Sequence, residues 1–106
     1  MTRRLTLLTL SALLASTGAV LAQGDAEAGR TLAQRWCSSC HMIDAGQGAA
    51  SATGVPTFAG IARMPSTTEM SLNAFLRTPH VRMPDLHLSN SEITDLSAYI
   101  LGLKPR

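Results

Sequence analysis

The sequence predicts an all-α fold of three to five short helices wrapped around one covalently attached prosthetic group. Three observations carry that expectation. Apolar residues recur at spacings of three and four after two stretches that resemble helix starts, Ser66–Glu69 and Ser89–Glu92. No stretch alternates apolar and polar residues as a half-buried strand does. Both cysteines fall within Cys37-Ser38-Ser39-Cys40-His41, where two thiols three positions apart can each add across a vinyl group of haem. The imidazole that follows is then delivered to one axial face of the iron, so the pentapeptide predicts a haem c.

The chain starts with Met1-Thr2-Arg3-Arg4, continues in an apolar run from Leu5 to Leu14, and reaches small residues at Gly18 and Ala22. A basic start, a short apolar core and a small-residue cut site predict a cleavable secretory signal peptide over residues 1–22, with the haem domain over 23–106. The run is shorter than the roughly 20 residues a membrane span needs, so no span is expected after cleavage. Loss of Arg3 and Arg4 leaves seven basic and seven acidic side chains, and this neutral balance excludes a basic nucleic-acid-binding surface. The remaining 84 residues make one domain, too small to be comfortably stable without a staple. A flat apolar macrocycle would complete its thin core.

The first helix is expected from about Asp25, a good N-cap, to Cys40, with Ala26, Ala28, Leu32, Ala33 and Trp36 on a narrow buried face. Gly29 in its interior costs about 1 kcal/mol relative to alanine. Either another helix approaches closely there, or the glycine is simply tolerated. Residues 44–54 are small and polar and read as a loop; Val55 to Ile61 then brings apolar residues back around Pro56, as a segment laid over the cofactor. Ser66-Thr67-Thr68-Glu69 has a capping-box arrangement that opens a middle helix with Met70, Leu72, Phe75 and Leu76, Met70 in the core, ended by Pro79. Ser89-Asn90-Ser91-Glu92 opens the last helix, whose inward residues are Ile93, Leu96, Ile100 and Leu103; Gly102 and Pro105 stop it.

Other readings of the two cysteines are weaker. A thioredoxin-like dithiol normally opens a helix within a βαβ pattern, and no strand pattern precedes Cys37. A zinc site needs two further ligands, for which His80 and His87, seven apart, have the wrong spacing.

The iron needs a second axial ligand or a reason to lack one. Met42 follows His41 directly and lies on the same side; Met70 falls inside a helix. Met64-Pro65 comes 23 residues after His41, with little chain to wrap the haem. Met83-Pro84 sits in an irregular segment between two helices, where proline stiffens the backbone that presents the thioether. Met83 is the chosen ligand; His80 or His87 would instead give a bis-histidine site of lower potential.

With its Cys37–His41 motif, the Gly54-Val55-Pro56-Thr57-Phe58-Ala59-Gly60 segment, Met83-Pro84 and a closing Ala98-Tyr99-Ile100-Leu101, the chain resembles the class I cytochromes c over essentially the whole of residues 23–106. The resemblance implies the cytochrome c fold, with first and last helices crossing at a small residue packed against an aromatic, here Gly29 and Tyr99. It also implies that the Pro56 carbonyl accepts the His41 ring N–H and orients it. Ala33 departs from the bulkier aromatic often found there.

The expected function is one-electron transfer in the bacterial periplasm between redox partner proteins, without catalysis. Six strong bonds to iron, four from porphyrin plus His41 and Met83, leave no place for substrate and require little rearrangement on reduction. Alternatives are an electron-transfer subunit of a periplasmic oxidoreductase, or an open-site haem sensor or peroxidase using Arg82 and His80.

Overall fold

The computed structural model describes residues 23–47 and 54–106; the expected signal peptide lies outside them, as does part of the expected loop. Among the described residues four helices follow in order: α1 (Ala26–Trp36), α2 (Phe58–Arg63), α3 (Glu69–Arg77) and α4 (Asn90–Gly102). Among the described residues, extended pairing is limited to one isolated antiparallel bridge between His80 and Met83. The all-α expectation holds, within the predicted number of helices.

Asp25 caps α1 by accepting the amide N–H groups of Glu27 and Ala28 at 2.9 and 3.1 Å. The helix ends four residues earlier than the spacing suggests. The amides of Cys37 and Ser38 both donate to the Ala33 carbonyl, and those of Cys40 and His41 both donate to Cys37. The chain thereby tightens into a separate turn that carries the two thiols and the imidazole. The expected inward face is also narrower: Gly29 and Ala33 are buried, whereas Ala26 is exposed and Trp36 remains 50% exposed.

That narrowness follows from how closely α1 meets α4. A Cβ on Gly29 would run into the Asp95 carbonyl and the Leu96 Cα, and one on Gly24 would meet the Thr94 carbonyl. Gly29 therefore serves a close approach of two backbones, at the most extensive helix contact in the molecule. Its nearest neighbours are Asp95 and Leu96; Tyr99, the expected aromatic partner, lies one turn further on, with its ring 6.3 Å from that of Phe58. α2 and α3 pack on α4 as well, so α4 touches every other helix. Ala33, Cys37, Ile43, Phe58, Ala62, Leu72, Leu96, Tyr99 and Ile100 form the core between them.

Two elements differ from the sequence reading. Within the stretch from Val55 to Ile61, expected as a segment laid over the cofactor, Phe58 opens a helix not foreseen there, α2, whose N-cap Thr57 accepts the Gly60 amide at 2.9 Å and whose Phe58 is buried. α3 begins two residues later than the Ser66–Glu69 box implies: Thr68 and Ser71 cap each other, at 2.9 and 3.1 Å, and Glu69 is the first helical residue. This frame turns Leu72 inward and places Met70, two residues or about 200° away, in solvent at 82% exposure. Met70 is a surface residue, not core. The Ser89–Glu92 box is formed as expected, Ser89 Oγ accepting from the Glu92 amide and the Glu92 carboxylate from the Ser89 amide.

Candidate functional site

α1 delivers Cys37 and Cys40 into the turn that follows it, and both carry free thiols. Cys37 is buried and Cys40 exposed. Burial first, and the neighbouring Cys40 second, push the Cys37 thiol up to about 11. A dithiol oxidoreductase needs a depressed thiol pKa, so the thioredoxin-like alternative has the wrong electrostatics. Addition to a vinyl group asks only for the thiols and their spacing.

His41 closes the turn. Its Nδ1 donates to the Pro56 carbonyl at 2.7 Å, a bond that requires the proton on Nδ1 and leaves the Nε2 lone pair free for a metal. The Phe58 ring stands 5.3 Å away, tilted by 54°, and restricts the imidazole from one side. This is the contact the family resemblance implies for Pro56. It depends on α2, because the amide of Phe58, the first residue of α2, donates to the Met42 carbonyl at 2.9 Å and thereby holds the Pro56 segment beside the turn.

The backbone after His41 is held from several directions. Tyr99, from α4, donates its hydroxyl to the Ile43 carbonyl at 2.9 Å, and Arg30, from α1, reaches the Asp44 carboxylate at 3.2 Å. Burial raises the Tyr99 hydroxyl above its ordinary value, with Asp44 adding to the effect; the bond to Asp44 raises Arg30. Gln47 contributes three more bonds: its Oε1 accepts the Ile43 amide at 2.8 Å, and its Nε2 donates to the carbonyls of Ser38 and His41 at 2.9 and 3.0 Å. In the sequence Gln47 falls within the small, polar stretch of residues 44–54. No motif marks it, because its partners are main-chain groups.

Met83 occupies the connection between α3 and α4. His80 to Met83 form a tight turn, the Met83 amide donating to the His80 carbonyl at 3.3 Å, with Arg82 at φ 89°. Further along, His87 is also left-handed, at φ 50°, and both positions are strained for a residue other than glycine. Met83 is half-buried and borders a small hollow with Phe75, Leu76, His80, Leu86 and Leu88. The His80 ring stacks on Phe75 at 3.6 Å, whereas His87 is exposed beside Asp85. Met64 terminates α2 and is 46% exposed. Among the described residues no three His, Cys, Asp or Glu side chains gather as a metal ion would require, so a zinc site has no donor set.

These residues fit a covalently held haem. Two free thiols and an imidazole with its Nε2 available share one turn, and Trp36, Met64 and Phe75 each stand half exposed. Comparison with known proteins agrees. The family model described as Cytochrome c matches residues 26–104. Cytochrome c-552 of Bradyrhizobium diazoefficiens is 45% identical over 91 residues, covering 86% of each chain. No solved structure matches. Such similarity over nearly the whole described chain extends from the Cys37–His41 turn to the closing helix, and the chain belongs to the class I cytochrome c family, all-α electron-transfer proteins with a covalently attached haem c.

Proposed function

We propose that this cytochrome c is exported to the bacterial periplasm, loses residues 1–22, and works there as a one-electron carrier with an iron closed by His41 and Met83. In this reading Cys37 and Cys40 would form the thioethers, and His41, through Nε2, and Met83, through its thioether, would hold the iron. The 2.7 Å bond from His41 Nδ1 to the Pro56 carbonyl carries the assignment of His41, because it fixes both tautomer and orientation. Met83 is half-buried beside an apolar hollow, whereas Met64 and His87 are exposed and the His80 ring is stacked on Phe75, which supports the choice of Met83. Bound haem supplies a reversible Fe(III)/Fe(II) couple, and a His/Met pair raises its potential.

The protein's own contribution is to hold both ligands still. Pro56 and Phe58 restrict the imidazole, and the His80–Met83 turn presents the thioether. Little then moves on electron transfer, and the haem edge is left to exchange electrons with redox partner proteins through small, short-lived interfaces. Covalent attachment keeps the group in place through repeated encounters.

Mass spectrometry of the protein expressed with its leader in a bacterium that matures c-type cytochromes tests this assignment. The expected product is periplasmic, starts at Gln23 and carries one haem; Cys37→Ala and Cys40→Ala each retain a single thioether. A cytoplasmic, uncleaved product, or haem attachment unaffected by either substitution, would overturn it.

A further inference from the structure

We infer that Gln47 is a positioning residue for the proximal side of the iron, fixing the main chain of His41 as Pro56 fixes its ring. The inference rests on His41 being an axial ligand. Within residues 38–43, the carbonyls of Ser38 and His41 and the amide of Ile43 have no main-chain partner among the described residues. The Gln47 amide meets all three, at 2.9, 3.0 and 2.8 Å, and uses both of its donor hydrogens and its acceptor oxygen to do so. The side chain is part-buried, where an unmet donor or acceptor carries its full desolvation cost.

The chain between them explains how the side chain is aimed back. The Asp44 carboxylate accepts the Gly46 amide at 2.9 Å, and the Gln47 amide donates to the Asp44 carbonyl at 3.4 Å, so residues 44–47 reverse direction. Asp44 is itself anchored to α1 through Arg30. Ile43 is gripped at both ends of its peptide units, by Gln47 at the amide and Tyr99 at the carbonyl. The imidazole is thus tied at two points: the Pro56 carbonyl holds the ring, and Gln47 holds the carbonyl of the residue that bears it.

The geometry specifies the residue type. Glutamate can accept from Ile43 but cannot donate to two carbonyls; leucine can do neither; asparagine has the right groups on a side chain one methylene short. A merely structural role would lower stability and leave the iron alone. A positioning role changes the iron's ligand field as well.

The test compares holoprotein carrying Gln47→Leu, Gln47→Glu and Gln47→Asn with the unsubstituted holoprotein. The readouts are the reduction potential, the hyperfine-shifted ring proton resonances of His41 in the ferric state, and hydrogen exchange at the Ile43 amide. Gln47→Leu is expected to speed exchange at Ile43 by about tenfold, shift the His41 ring resonances and move the potential. Gln47→Glu keeps the bond to Ile43 and serves if the leucine variant does not mature; its exchange rate stays near the original while the His41 signals and the potential still move. Unchanged His41 resonances and potential in a folded variant, with only stability reduced, would overturn the inference. Absence of hyperfine-shifted His41 signals in the unsubstituted protein would instead remove His41 as a ligand, a failure of the underlying assignment that this measurement separates from the role of Gln47.

Discussion

At the scale of single residues, the site depends on side chains that satisfy main-chain groups. Tyr99 is 8% exposed and its hydroxyl meets the Ile43 carbonyl. Tyr99→Phe leaves that carbonyl unmet and is expected to cost about 1–3 kcal/mol in denaturant unfolding of the holoprotein. Arg82 sits at φ 89°, where only glycine is free of strain, so Arg82→Gly is expected to gain about 1 kcal/mol in the same assay. Cys37, Cys40, His41 and the proposed ligand Met83 can be nominated from the sequence because residue type and spacing carry their chemistry directly. Pro56 required the family resemblance, since its carbonyl is a main-chain group with no signature of its own. Gln47 was not legible at all: its role exists only once a turn has gathered two carbonyls and an amide around one side chain.

At the scale of elements, capping decides where the helices begin and close packing decides how far they bury. The Glu92 carboxylate accepts the Ser89 amide, and this bond lowers its pKa below the ordinary 4.5. Because the folded-state pKa is the lower one, the contribution is complete above about pH 4.5 and is lost as pH falls through the folded value. Glu92→Gln should therefore remove part of the loss of stability seen on acidification below pH 4.5, which thermal melts at stepped pH will show. Gly29→Ala puts a methyl group into the Asp95 carbonyl and is expected to cost about 3 kcal/mol. The sequence made the Ser89–Glu92 box plain, since Ser and Glu lie at the required offset. It misplaced the start of α3 because Ser66, Thr67 and Thr68 all make credible caps; Thr68 takes the role by pairing with Ser71, while the Thr67 hydroxyl donates to the Ile61 carbonyl. α2 escaped because six residues with two small side chains and a glycine show no helical period.

At the scale of the whole molecule, a small chain packs four short helices on one another among its described residues and leaves Trp36, Met64 and Phe75 half exposed, which is the economy of a fold designed around a large cofactor. α4 organises it, touching the other three helices and supplying Leu96, Tyr99 and Ile100 to the core. Ser97 is the exception on that helix: its hydroxyl is buried without a partner among the described residues, so Ser97→Ala is expected to be neutral or to stabilise by up to about 1 kcal/mol. The Cys37–His41 turn is held by α1 and α2, and the His80–Met83 turn lies between α3 and α4. Closure of the iron by both turns is the central claim. The absorption spectrum of the oxidised holoprotein tests it most directly: a weak band near the red edge of the visible range, abolished in Met83→Ala together with a fall in reduction potential, is the predicted result, and a high-spin spectrum in the unsubstituted protein, or a band that survives the substitution, would contradict it.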